Sequence, residues 1–177
     1  MKSAAEQLST YKSVHLNKAN IKTHFIGVPL IVWSVMTLLN LVALPMKVPG
    51  SEITLNLAMV LIAVTLVYYF LLNFKLALGI VLFIVPLFYI AYQMSLQQHA
   101  TYIAIGVFAI GWVFQFIGHY YEKAKPAFFD DIKQLLIGPF FLMSEIYFML
   151  GLQPQLEKTI TPMAIDKRRQ LELAKNT

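Results

Sequence analysis

Four long apolar segments follow one another in this chain, and they leave it few ways to fold. They run from Phe25 to Leu44, Ile53 to Leu72, Leu76 to Met94 and Tyr102 to Ile117. A helix needs about 20 apolar residues to cross the hydrocarbon core of a bilayer. Only 13% of residues are charged and 58% are hydrophobic, where a soluble domain would carry about a quarter charged. That much apolar surface requires lipid as its solvent. The predicted fold class is all-α: a polytopic integral membrane helical bundle with four spans. There is no cysteine, which excludes disulfides, thiolate metal sites and iron–sulfur clusters.

Residues 1–24 are polar and mixed and read as an amino-terminal interfacial helix. Pro45, Pro49 and Gly50 mark the first connection, Asn73, Phe74 and Lys75 a tight turn, and Gln97, Gln98 and His99 the next turn. Residues 118–134 form a loop. A fifth apolar helix over 135–152 is shorter, is interrupted by Gly138 and Pro139 and contains Glu145. A carboxylate in hydrocarbon costs at least ~2.5 kcal/mol, so this segment is expected to be re-entrant or packed in the bundle. Residues 153–177 form a charged tail. The whole chain, 1–177, is predicted to be one membrane domain.

The net charge of +5 sits at the ends of the apolar spans. It serves orientation and contact with anionic lipid headgroups rather than nucleic acid. Lys2, Lys12, Lys18 and Lys22 place the amino-terminal segment in the cytoplasm. Counting spans places Lys123, Lys125 and Lys133 there too. Lys158, Lys167, Arg168, Arg169 and Lys175 join them if the fifth segment does not cross. No cleavable signal is evident.

This topology sorts the histidines. His15, His24 and His119 fall on the cytoplasmic side, and His99 falls on the other. On helical spacing His119 and Glu122 share a face, and Gln115 lies one turn before His119 on it. Asn20 and His24 share a face, as do Tyr11 and His15. His15 and His24 are half a revolution out of phase on one straight helix. If both meet one metal, the chain must bend between them, and Asn17–Asn20 is the expected place.

Imidazoles with carboxylates suit first-row divalent metals. Two His and one carboxylate suit non-haem Fe(II), and three His with a water suit zinc. The candidate ligands are His15, His24, His119, Glu122 and Glu145, with Tyr11, Asn20 and Gln115 as hydrogen-bonding supports. The plainer alternatives are amphipathic histidines at the polar boundary, a surface charge at Glu122 and a helix-bridging Glu145. A membrane lipid-binding or transport protein and a zinc-dependent lipid hydrolase are the competing functions. Homo-oligomerisation is left open.

The run Tyr11…His15…Asn20…His24-Phe-Ile-Gly27-Val-Pro29 resembles the amino-terminal signature of the Mpo-like membrane proteins. Gln115-Phe-Ile-Gly118-His119-Tyr-Tyr-Glu122-Lys-Ala-Lys-Pro126 and Gly138-Pro139-Phe140-Phe141…Glu145 are similar to the family's later blocks. The resemblance implies a membrane-bound, iron-dependent dioxygenase of 2-hydroxy fatty acids. It would use Fe(II) and O₂ to shorten its substrate by one carbon in α-oxidation. His15, His24 and His119 occupy the positions of the family's essential histidines. A bacterial member would sit in the inner membrane and a eukaryotic one in the endoplasmic reticulum, with the metal site on the cytoplasmic side.

Overall fold

A computed structural model describes residues 2–129 and 131–174. Among them are seven α-helices and one two-stranded hairpin, in two compact units. Three helices among the described residues are long and apolar enough to cross a membrane: α2 (Lys18–Asn40), α4 (Phe74–Ser95) and α5 (Ala100–Glu122). Two apolar helices are shorter: α3 (Leu57–Leu72) and α6 (Gln134–Met149). The architecture is that of an all-α membrane protein.

The first unit comprises Met1–Phe25 and Phe114–Thr177. It holds α1 (Ala4–Lys12), the start of α2, the end of α5, α6 and α7 (Pro154–Leu173). Helix α1 opens with a capping box. Ser3 Oγ accepts from the Glu6 amide at 3.2 Å, and Glu6 accepts from the Ser3 amide at 2.8 Å. The helix packs on both α6 and α7. That is why Gln7, Leu8, Ser9, Tyr11 and Lys12 are all buried. Helix α6 is the predicted fifth apolar segment and is packed against α1. Ile137, Phe140 and Phe141 are fully buried there. Pro154 starts α7, where its fixed φ suits the first helical turn. Lys167 on α7 donates to Ser9 Oγ at 2.9 Å and Thr10 Oγ1 at 2.6 Å, tying the tail to α1.

The second unit, Ile26–Val113, holds the rest of α2, the hairpin, α3, α4 and most of α5. The hairpin pairs β1 (Ala43–Lys47) with β2 (Thr54–Asn56) in antiparallel register and was not anticipated. Pro45 and Pro49, two prolines within five residues, disfavour a helix here, and Gly50 takes a positive φ of 75° in the turn. The hairpin therefore uses residues assigned above to the first two apolar segments. As a result α2 stops at Asn40, and α3 begins only at Leu57, where Asn56 caps it. Asn73 is the predicted tight turn: it ends α3 and accepts from the Leu76 amide at 3.1 Å to start α4. Val64, Val67, Leu71 and Leu82 are more than half exposed. A lipid solvent accounts for such apolar surface.

Candidate metal centre

The site lies in the first unit and is built around a bend. Helix α1 ends at Lys12, and Ser13 closes it by donating from its amide to Ser9 O at 3.0 Å. Asn17 restarts the helix, its Oδ1 accepting from the Ala19 amide at 2.8 Å. The break thus runs from Ser13 to Asn17, slightly earlier than expected. His15 sits inside it and His24 follows in α2. The bend brings together two rings that one straight helix would hold on opposite sides.

His15 Nε2 and His24 Nε2 are 3.0 Å apart. The His119 ring, from the end of α5, lies with its centroid 4.8 Å from that of His15 and 5.1 Å from that of His24. One ligand atom from each of the three lies within 4.8 Å of the others. His15 and His24 are each 1% exposed and His119 8%. Tyr11 stacks flat on His15, with centroids 4.1 Å apart and planes 3° from parallel. Phe141 covers both rings from α6. Burial pushes the Tyr11 hydroxyl above its ordinary value.

Two backbone carbonyls determine how the rings present themselves. His15 Nδ1 donates to Tyr11 O at 2.7 Å, and His24 Nδ1 donates to Asn20 O at 2.9 Å. A carbonyl cannot donate, so both Nδ1 atoms carry the proton. In the neutral tautomer each Nε2 then carries a lone pair. Burial, with His24 and His119 alongside, pushes His15 well below its ordinary 6.5, so it stays neutral. Two lone pairs facing each other at 3.0 Å repel unless a cation lies between them. The donor set, three neutral imidazoles, suits a first-row divalent metal. The trio could therefore hold a metal ion.

Close approach of α5 to α2 completes the cluster. A Cβ on Gly118 would fall 2.3 Å from Asn20 Oδ1, 2.3 Å from Thr23 Oγ1 and 3.2 Å from His24 Nδ1. Glycine here allows His119, its neighbour, to reach the other two rings.

Among the described residues the ligand-bearing group is the three histidines. Both candidate carboxylates have other partners. Glu122 accepts from the Leu16 amide at 3.1 Å, the Asn17 amide at 2.8 Å and Asn20 Nδ2 at 3.1 Å. It also pairs with Arg168 on α7 at 3.4 Å. Arg168 Nη2 donates in addition to Glu122 O at 3.0 Å. That carbonyl is free because Lys123, with φ 54°, ends α5. Glu122 thus holds the turn that carries His15. Glu145 pairs with Lys12, whose ammonium lies 5.8 Å from the Phe141 ring and 5.7 Å from Phe148. The Tyr11 and Asn20 supports act through their carbonyls, and the Asn20 side chain serves Glu122 and Val14 O. Gln115 is buried, and its Nε2 has no hydrogen-bond partner among the described residues. His99 is exposed in the α4–α5 connection of the second unit.

Sequence reasoning missed Lys12, Phe141 and Arg168 as parts of this site. Phe141 lies in the Gly138-Pro139-Phe140-Phe141 block, which offered a signal. Nothing in a tail containing Lys167, Arg168 and Arg169 singles out the middle residue.

The fold and site define a helical membrane protein with a buried three-histidine cluster of metal-binding type. A family model described as 2-hydroxy-palmitic acid dioxygenase Mpo1-like matches residues 1–150. The chain is 33% identical over 171 residues to the 2-hydroxy-palmitic acid dioxygenase of Saccharomyces cerevisiae, covering 94% of this chain and 92% of the yeast protein. The chain belongs to the Mpo1-like family. No solved structure matches it.

Proposed function

We propose that this protein is an Fe(II)-dependent dioxygenase that shortens 2-hydroxy fatty acids by one carbon. The observation that carries this reading is the 3.0 Å approach of two Nε2 atoms whose protons are both held on Nδ1. Family membership supplies the substrate class. His15, His24 and His119 would hold the ion. Iron(II) bound there would supply the one-electron chemistry that lets O₂ attack an organic acid.

The chain's own residues prepare that chemistry. The Tyr11 and Asn20 carbonyls orient two of the rings. Tyr11 and Phe141 pack over His15 and keep water from it. Glu122 and Arg168 fix the turn bearing His15. The cluster lies near the start of α2 and the end of α5, two helices of spanning length. A site at such helix ends stands at headgroup level. A long-chain acid partitions into the bilayer at ~0.8 kcal/mol per buried methylene, which would leave its head at that depth. The lysines near these helix ends favour the cytoplasmic side of a single membrane domain.

The test is to purify the protein in detergent without chelator, determine bound metal, and follow O₂ uptake with 2-hydroxypalmitate. The expected result is iron in the preparation, and iron-dependent O₂ consumption with formation of pentadecanoate. Zinc in place of iron, or turnover without O₂, would reject the dioxygenase reading and favour a hydrolase.

A further inference from the structure

Gln115 is 6% exposed, and its Nε2 has no hydrogen-bond partner among the described residues. It lies four residues before His119, so the two side chains share a face of α5 about 6 Å apart along the axis. The same face carries Gly118, which meets α2 at Asn20, Thr23 and His24. A buried amide donor left unpaired costs about 1–3 kcal/mol. Such a group in a helix of spanning length calls for an explanation.

Asn20 Oδ1 has no partner among the described residues either, but it packs against Gly118 at the contact of α2 with α5. Gln115 differs in lying one turn further into the membrane helix than His119. It is therefore on the side from which an acyl chain would enter.

We propose that Gln115 Nε2 donates to the 2-hydroxyl oxygen of the bound fatty acid and so selects 2-hydroxy acids over plain ones. This rests on the reading of the chain as a 2-hydroxy fatty acid enzyme. An acid with its head at the histidines and its tail in the bilayer carries the 2-hydroxyl on the carbon next to the carboxylate, on the tail side. A neutral amide suits a neutral hydroxyl there, whereas a carboxylate would call for a cation. A site built to hydrogen-bond a hydroxyl discriminates against the analogue lacking it, because its own polar group is then left unpaired.

The experiment measures binding of 2-hydroxypalmitate and of palmitate to the metal-loaded protein in micelles, by titration of tryptophan fluorescence. Wild type is compared with Gln115→Met, which keeps volume and removes the donor. Wild type should prefer 2-hydroxypalmitate, and the variant should bind that acid about tenfold more weakly. Palmitate affinity should be unchanged. The ligand-free variant should melt no lower than wild type, since an unpaired buried donor has been removed. Equal weakening of both acids, no weakening of either, or a lowered melting temperature would each overturn the assignment. If wild type prefers the hydroxy acid yet forms no pentadecanoate, the dioxygenase reading fails and the role of Gln115 stands. If wild type binds both acids alike, the role of Gln115 fails whatever the reaction.

Discussion

His15 and His24 are nine residues apart in the chain and meet nitrogen to nitrogen at 3.0 Å. Each ring is oriented by the carbonyl four residues before it. The same i−4 contact is thus used twice, once in a turn and once in a helix.

Replacing a ring of the three-histidine cluster should remove the metal. His24→Ala and His119→Ala are expected to lose bound metal, from about one equivalent to near zero by elemental analysis, since binding needs the full ligand set. His99→Ala, exposed and in the other unit, should retain it. Retention of metal by His24→Ala would remove the cluster from consideration.

Glu122 is expected to act on stability as well as on the site. Glu122→Ala would leave the Leu16 and Asn17 amides without their acceptor and take one of its partners from Arg168, which keeps Glu172 and the backbone carbonyl at 122. A cost of about 3 kcal/mol follows for breaking a buried charged network. Unfolding in detergent measures it. Arg168→Met should cost less, because the amides keep Glu122.

The Lys12–Glu145 pair should show strong coupling. Lys12→Met alone leaves the partly buried Glu145 without its cation and should cost about 2 kcal/mol. Adding Glu145→Leu should recover much of that loss. Metal content should be unchanged in Glu145→Gln, and a fall would identify Glu145 as a ligand.

Gly118→Ala should disrupt both folding and metal binding, because the new methyl would collide with Asn20 and Thr23 and press on His24. Gly106→Ala meets nothing within 4 Å. It should be neutral or stabilise by up to about 1 kcal/mol, the helix preference of alanine over glycine.

Acid should destabilise the metal-free protein. His15 is held below its ordinary 6.5 in the folded state by burial. Unfolding therefore takes up a proton as pH falls below that value. Its contribution to stability is fully present above about pH 6.5 and lost progressively beneath it. Melting temperatures recorded from pH 7.5 down to 5 should decline only in the lower half of that range. A flat profile would mean that His15 is accessible and ordinary.

Hydropathy located the apolar helices, because runs of apolar residues have one viable solvent whatever their partners; of the four spans expected, α2, α4 and α5 are of spanning length among the described residues and α3 is shorter. The local pattern also paired Tyr11 with His15, Asn20 with His24 and Gln115 with His119, since i,i+4 spacing on a helix is a property of the backbone alone. It called for a bend near Asn17–Asn20 if the first two histidines were to meet one metal, and the chain bends slightly earlier, at Ser13–Asn17. What the linear pattern did not contain was the allocation of carboxylates. Glu122 and Glu145 read alike as ligands, and only packing showed Arg168 from α7 at the first and Lys12 from α1 at the second. The hairpin that shortened α2 and α3 was hidden for the same reason. Its residues are apolar enough for a span, and strand pairing between Ala43 and Asn56 is a contact across the chain. Spacing along a helix is written in neighbouring residues, whereas ion pairing and strand pairing depend on which distant segments the folded chain brings together.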